Sequence, residues 1–424
     1  MKQKASYIVI LTLLVDTSSL AQDTLSLPEL LLGLQRHSAL FGISPATDSA
    51  YTLRKSNIKV NYLPRISFNA EAKWQSDVTS VNASIPGVSL PSPGKDSYDF
   101  TVDVSQLIWD SGTTSARLKV EEDSRLLEQN KVETEIYSLK EKVVGLFFAL
   151  NSVDIAIQQL QIMADELDKR IAELQAGVNA GAILGSSLIA LQAEKLRLWQ
   201  NIDANQAQRE SAVESLNLLT GVSIPKSAHF ILPQLPVPTE FQCVRPDYKT
   251  FDIQAEYLSS TSTLTSKRRY PTLAAFARAG YGRPGLNMLS DEFDTYTLVG
   301  ARLSWNIWDW SSTSRDRQNL RIQQNVTDYH RRAFTDGYNA QVKSSLSQIS
   351  SLQKQIKSDE QIVALLEKSA LASYSQLRNG VITSASYLSD FNSLLRARID
   401  MNLRKIELEH EIVSLYYTVG LEIE

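Results

Sequence analysis

The longest regular pattern in the chain is a row of apolar positions spaced alternately four and three residues apart. This spacing over more than five heptads is typical of a coiled-coil seam. No proline occurs from Lys95 to Ile224, so the pattern predicts a helix from about Ser111 to Ala180, on the order of 100 Å long at 1.5 Å per residue. The seam positions are Leu139, Val143, Leu146, Leu150, Val153, Ile157, Leu160, Ala164, Leu167, Ile171, Leu174 and Val178.

The second half of the chain repeats the first. An offset of 199 residues carries Ile108-Trp109-Asp110 onto Ile307-Trp308-Asp309, Gly181 onto Gly380 and Gly221 onto Gly420. These landmarks predict a tandem duplication, with a first repeat over residues 22–221 and a second over 246–420. Glycine accepts the left-handed conformation at helix ends, so each repeat should contain a helical hairpin, over about 110–221 and about 309–420. A proline-rich linker, 222–245, separates them.

Two segments of alternating apolar and polar residues precede each hairpin. They predict strands over about 64–76, 98–109, 271–282 and 295–308. Strands of about ten residues are long enough to cross a membrane, with apolar side chains outward and polar ones inward; a soluble half-buried sheet gives the same alternation. Four strands cannot close a barrel, so a membrane-spanning form requires several copies. The candidate lumen residues are Ser67, Asn69, Glu71, Lys73, Asp99 and Asp103.

The first residues resemble a secretory signal peptide over 1–21. Lys2 and Lys4 precede an apolar run, and Ser19-Leu20-Ala21 forms a small-x-small cleavage site. We found no other apolar run near the roughly 20 residues that a membrane helix needs. Membrane insertion would therefore depend on the strands.

Composition gives little support to enzyme or nucleic-acid functions. The 424 residues include 43 Lys+Arg and 47 Asp+Glu, a net charge of −4, whereas a nucleic-acid binder needs a basic surface. One cysteine and four scattered histidines offer no metal-ligand spacing. Because nucleotide-binding and nucleophile motifs are also missing, we predict no catalytic residues, no metal and no cofactor.

Two short motifs resemble those of the TolC-like outer-membrane efflux proteins. The stretch 107–112, Leu-Ile-Trp-Asp-Ser-Gly, is similar to the strand-to-helix motif of that family, and Arg245-Pro246-Asp247 is similar to the start of its second half. The order of elements, each occurring twice, also matches over the mature chain. The resemblance implies an α+β membrane protein in which three copies close a 12-stranded barrel above a helical tunnel.

The same resemblance implies partners and a location. A homotrimer in outer-membrane lipid would extend into the periplasm and meet a periplasmic adaptor (a membrane fusion protein) and an inner-membrane pump of the RND or ABC type. It would conduct substrates passively in efflux or in type I secretion, and it implies no nucleic-acid partner. The main alternative is a secreted or periplasmic coiled-coil structural protein or adhesin without a pore, and a soluble enzyme is a more distant one.

Candidate functional residues fall at three places. The hairpin tips are predicted to dock an adaptor, because apolar groups at a solvated tip favour a partner; simple turn geometry is the alternative. The resemblance places the periplasmic gate at Ser386 and Ser389, with Asp390 one residue beyond, so we expect a weak acidic gate. The tip residues are Val178, Gly181, Ala182, Ile183, Leu377, Gly380, Val381 and Ile382.

The third place is the junction in each repeat between the second predicted strand and the long first helix of the hairpin, which we call the rod. Asp110 and Asp309 are predicted to cap the rods by accepting hydrogen bonds from free backbone N–H groups. Trp109 and Trp308 would lie at the lower rim of the barrel, where amphipathic rings suit a membrane interface. Packing between barrel and rod is the alternative explanation for these two rings.

Overall fold

A computed structural model describes residues 24–78, 94–181, 183–288 and 290–423. The predicted signal peptide and the tip residue Ala182 lie outside these ranges. The elements in chain order are β1 (Thr24–Ser26), α1 (Leu27–His37), α2 (Ile43–Lys59), β2 (Arg65–Trp74), β3 (Asp96–Trp109), α3 (Thr113–Asn179), α4 (Gly185–Thr220), β4 (His229–Ile231), α5 (Pro246–Lys267), β5 (Thr272–Arg283), β6 (Asp294–Ser304), α6 (Ser312–Arg378) and α7 (Ser384–Val419).

The two hairpins have equal dimensions. The rods α3 and α6 each contain 67 residues, and the returning helices α4 and α7 each contain 36. Each rod is followed by a glycine with φ of +71°, and each returning helix ends at a glycine with positive φ. Only glycine adopts this conformation without a steric cost, so the repeated glycines mark the reversals of the chain.

The apolar seam of α3 forms the core of the helical part. All twelve predicted positions are buried or half-buried. Towards the tips, Leu167 and Leu174 pack in one cluster with Leu191 of α4 and with Phe391 of α7. That cluster therefore joins the two hairpins as well as the two helices of each.

The four longer strands form one antiparallel sheet in the order β2-β3-β5-β6. Ser67 lies opposite Asp103, which lies opposite Arg278, so both repeats contribute to the same sheet face. Within the described residues, β2 and β6 each have one edge without a strand partner. A separate parallel pair, β1 with β4, attaches the linker to the start of the chain.

Two features differ from the sequence-based expectation. Strand β6 ends at Ser304 and not near Trp308. At the next residue, the Trp305 indole donates to the carbonyl of Arg269 at 3.0 Å. Helix α3 contains an 18-residue window with a mean hydropathy of 1.5, so it is long and apolar enough to cross a membrane by length and composition alone. Phe147 and Phe148 of this helix are fully or almost fully buried within the fold, and 44% of the window is buried, so part of this apolar surface faces the protein core.

Candidate functional site

The two faces of the large sheet differ sharply in chemistry. On one face, Ile66, Phe68 and Val299 are 71%, 68% and 85% exposed. Because side chains alternate along a strand, most of the polar side chains lie on the other face. All six residues predicted to line a lumen share that face, because the register pairs Ser67 with Asp103, Asn69 with Thr101 and Glu71 with Asp99.

Hydrogen bonds cross-link the polar face. Asp103 accepts bonds from Asn69 at 2.8 Å, from Thr101 at 3.1 Å and from the Arg278 guanidinium at 2.6 Å. The bonds join strands β2, β3 and β5, so they fix the register of the sheet. The polar face is thus an ordered surface, with its central carboxylate and guanidinium already paired.

At the strand-to-rod junction of the first repeat, the carboxylate of Asp110 accepts hydrogen bonds from backbone N–H groups at the start of α3. Its oxygens accept from the backbone N–H of Thr114 at 2.6 Å and of Gly112 at 3.0 Å, and from the Tyr62 hydroxyl at 2.8 Å. Asp309 accepts from the N–H of Thr313 at 3.0 Å in the second repeat. The N-cap positions themselves are Gly112 and Ser311, so the aspartates act from two residues upstream.

The backbone before each rod turns in the same way. Ser111 and Gly112 have positive φ of 58° and 81°, and the equivalent Trp310 and Ser311 have 53° and 60°. Two consecutive left-handed residues swing the chain from the sheet into the rod. The second repeat forms this turn without glycine, at a steric cost.

We expect Asp110→Ala to lower the free energy of unfolding by about 2 kcal/mol, because it leaves buried N–H groups without an acceptor. Burial disfavours the charged carboxylate, but the bonds from Thr114, Tyr62 and the backbone outweigh it and hold the pKa of Asp110 below its ordinary value. The contribution is therefore complete above the unfolded pKa of about 3.9 and is lost as the pH falls through the lower folded pKa.

Thermal unfolding followed by circular dichroism measures this effect. Asp316→Ala is the control, since among the described residues Asp316 forms an exposed ion pair with Arg268, and such pairs contribute little. Equal melting temperatures for Asp110→Ala and the control at neutral pH would contradict the capping role.

The tryptophans of the junctions are exposed. Trp109 is 49% and Trp308 68% exposed, and Trp308 packs edge-on against Trp310 with ring centroids 5.8 Å apart. Both rings lie at the end of the sheet nearest the rods. This position agrees with a rim of amphipathic rings, and the role remains a prediction.

Several apolar residues predicted to dock at the tips are instead packed inside. Leu377 is 2% exposed, and Val178, Ile183 and Ile382 pack against the cluster that joins the hairpins. Of the predicted apolar set, Val381 is the one exposed side chain among the described residues, at 71%. Leu184, which lies outside the predicted set, is 75% exposed, so the apolar surface available on the described part of the tips centres on these two residues.

The predicted gate residues differ in orientation. Ser386 and Ser389 are exposed, whereas Asp390 is half-buried and accepts a hydrogen bond from the Ser373 hydroxyl of α6. The carboxylate of Asp390 is therefore held within its own hairpin, and the gate role of these three residues remains a prediction.

A polar cluster near the tips links the two hairpins. The Tyr374 hydroxyl of α6 donates to Glu173 of α3, and the Arg170 guanidinium lies 4.0 Å from the centre of the Tyr374 ring. Arg398 of α7 reaches Glu166 of α3 at 3.9 Å. Burial, and then the bond to Glu173, raises the pKa of Tyr374 to about 12, so the hydroxyl remains a donor at neutral pH.

Sequence reasoning missed this cluster. Tyr374 and Glu173 are 201 residues apart, and neither belongs to a motif. The signal available was their nearly equivalent position in the two repeats, about two turns before each tip glycine.

Solved structures of outer-membrane channels have the same arrangement of sheet and hairpins. CusC superposes with a TM-score of 0.74 over 93% of this chain and 92% of its own, at 13% identity. VceC from Vibrio cholerae superposes with a TM-score of 0.70 over 94% of this chain and 97% of its own, at 14% identity. The open state of MtrE from Neisseria gonorrhoeae superposes with a TM-score of 0.69 over 93% of this chain and 89% of its own, at 14% identity. The chain therefore has the fold of an outer-membrane channel protomer.

The sequence supports the same assignment over the first repeat. Residues 58–222 match the outer membrane efflux protein family, and no curated protein matches the chain. The predicted resemblance to TolC-like outer-membrane efflux proteins is confirmed, as is the predicted combination of long helical hairpins with an antiparallel sheet.

Proposed function

We propose that this protein is the outer-membrane exit duct of an efflux system. Three copies close a barrel in the membrane and continue as a helical tunnel through the periplasm. The proposal is supported by a sheet that has a largely exposed apolar face and, within the described residues, two edges without a strand partner, and that joins long hairpins.

The sheet edges explain why more than one copy is needed. An unpaired edge leaves backbone N–H and C=O groups unsatisfied, which lipid does not tolerate. Since β2 and β6 run antiparallel across the sheet, β6 of one copy can pair with β2 of the next. Two copies would give eight strands, whose interior is just filled by side chains, whereas three give twelve strands and an open lumen.

The hairpins carry matching free surfaces. On α4, Ile189 and Leu196 are 65% and 66% exposed, although the opposite side of this helix packs in the core. On α6, Ile362 and Leu365 are 46% and 65% exposed. Within one copy the α3 side of the first hairpin packs against the second, so α4 and α6 are the outer flanks that meet the next copies.

Transport through such a duct is passive. The cluster of Tyr374, Glu173 and Arg170 holds the two hairpins together near the tips, and separation of the hairpins would widen the tunnel. A pump in the inner membrane supplies the energy, and the duct needs no catalytic group. The proposal therefore describes a channel and not an enzyme.

The tips are the proposed docking surface for a periplasmic adaptor. We expect Leu184→Glu and Val381→Glu each to reduce the copurifying adaptor at least about tenfold, because each places a charge in an apolar contact that must be desolvated. The measurement is quantitative mass spectrometry of adaptor protein bound to each variant after purification from the host membrane.

The matched control is Ser186→Glu, an exposed polar position in the first turn of α4. It adds the same charge near the tip without removing apolar surface. If all three variants retain the adaptor equally, docking at the tips is wrong.

Fractionation and mass determination test the duct itself. The protein should remain in the outer-membrane fraction after a carbonate wash, and light scattering in detergent should give the mass of three chains. A soluble, detergent-independent rod would favour the coiled-coil structural protein. Type I protein secretion is the alternative within the channel class, and an unfolded polypeptide cargo would identify it.

A further inference from the structure

The charges on the polar sheet face are separated along the strands. In the middle, Asp103 and Arg278 neutralise one another through their 2.6 Å bond. The register gives the strands a common direction: Arg65 and Ser304 lie at the end nearest the rods, and Asp294 at the far end. The polar face therefore has an inner zone at the end nearest the rods, a neutral middle at Asp103 and Arg278, and an outer zone at the far end.

The outer zone carries uncompensated negative charge. Asp99 accepts a 2.7 Å bond from the neutral Tyr296 hydroxyl, and Asp294 accepts from the backbone N–H of Thr295. In the part of the chain that the structure describes, neither carboxylate has an ion-pair partner. Glu71 lies at the same level but is paired with Lys73 at 2.9 Å. The net charge of this zone is thus that of two carboxylates per copy.

The inner zone carries the opposite charge. Arg302 lies over the Phe276 ring at 5.3 Å, and Arg65 begins β2 with an exposed side chain. Among the described residues, no carboxylate pairs with either guanidinium. The register places both arginines on the same face as Asp103 and Arg278, which gives two positive charges per copy.

The two zones are far enough apart to act separately. Six residues separate Arg65 from Glu71, which lies opposite Asp99. At about 3.3 Å per residue this is roughly 20 Å. The screening length at physiological ionic strength is about 8 Å, so each zone attracts its own counterions.

We infer that the barrel lumen is a bipolar charge filter: guanidinium groups at its periplasmic end favour anions, and carboxylates at its extracellular end favour cations. The inference rests on the proposed function, because only a closed barrel turns this face into a lumen. Rings of charged side chains select ions in channels generally. Here anionic groups of a substrate are attracted at the periplasmic end of the barrel.

A bipolar lumen conducts asymmetrically. When the extracellular side is positive, cations from the outer zone and anions from the inner zone both move towards the middle, so carriers accumulate and the current rises. When the polarity is reversed, both leave the middle and the current falls. The asymmetry must weaken as salt screens the fixed charges.

Single-channel currents of the purified protein in a planar bilayer test this inference. The long polar tunnel cannot cross the bilayer, so the side of addition is the periplasmic side. We expect the current at positive extracellular potential to exceed the reverse current about twofold at about 0.03 M KCl, where screening extends roughly 18 Å, and to become symmetric near 1 M, where it extends about 3 Å.

Two double variants remove one zone each. Asp99→Asn with Asp294→Asn, and Arg65→Gln with Arg302→Gln, should each lower the current ratio, because one charged zone alone retains only part of the asymmetry, and the four substitutions together should bring the ratio close to one. The matched control is Glu71→Gln with Lys73→Gln, which removes two charges but no net charge, and should keep the ratio of the unchanged protein. The helical tunnel is identical in all of them, so differences report on the barrel.

A symmetric current from the unchanged protein at low salt would overturn the inference, as would a ratio that survives both charge-removing variants. Loss of asymmetry in the control to the same extent would also overturn it. These outcomes leave the pore intact, whereas the absence of any discrete channel would contradict the proposed function itself.

Discussion

Tyr374→Phe is expected to raise the open fraction of the channel about tenfold or more. The hydroxyl of Tyr374 donates to the Glu173 carboxylate, and this bond joins the second hairpin to the first. Hydrogen bonds to charged groups contribute about 1.5–3 kcal/mol, and each 1.4 kcal/mol is a factor of ten in an equilibrium. Loss of the bond should therefore shift the tips towards the separated arrangement.

The open fraction is measured from single-channel records at fixed voltage. Tyr416→Phe is the matched control, because its hydroxyl donates to the carbonyl of Pro236 in the linker at 3.0 Å and joins no hairpins. Glu173→Gln should act in the same direction as Tyr374→Phe, and the double variant should add little. An unchanged open fraction in Tyr374→Phe would show that this bond does not hold the tips closed.

Phe68→Arg is expected to destabilise membrane assembly by about 2–4 kcal/mol. Phe68 lies in the middle of β2 on the apolar face and is 68% exposed. An arginine near the centre of the lipid-facing side of a transmembrane strand costs about this much. The amount of trimer in the outer-membrane fraction should therefore fall strongly.

The neighbouring substitution Ser67→Arg provides a control with the same new side chain. Ser67 lies on the opposite face, directly across from Asp103, so the added charge would sit in a wet lumen beside a carboxylate. We expect this variant to assemble normally. If both variants assemble equally well, or if Ser67→Arg is the more damaging, the assignment of the two faces is wrong.

Much of the fold follows from periodic patterns. The 4–3 spacing of α3 requires a partner helix on one side, and the repeated glycines supply the reversals, so the hairpins could be predicted closely. The alternation around Phe68 and Asn69 likewise determines which sheet face is polar. Each of these patterns involves residues close together in the sequence, so it can be recognised before the tertiary packing is known.

The contacts near the hairpin tips could not be predicted in the same way, because they join residues that are far apart in the sequence. The pairing of Tyr374 with Glu173 arises only when the hairpins pack, and no spacing reveals it. The same packing buries Leu377 and leaves Leu184 exposed, and the spacing of apolar residues along the chain indicates neither outcome. The sequence shows that Asp390 lies one residue beyond the expected gate position. It does not reveal the hydrogen bond that Asp390 accepts from Ser373.

Conductance across a planar bilayer, with protein purified as a complex of defined mass, tests whether copies of this chain form a conducting pore. We expect discrete, long-lived current steps from a species of three chains, rare in the unchanged protein and frequent in Tyr374→Phe. A complete absence of steps in both proteins would contradict the pore and favour a coiled-coil structural protein.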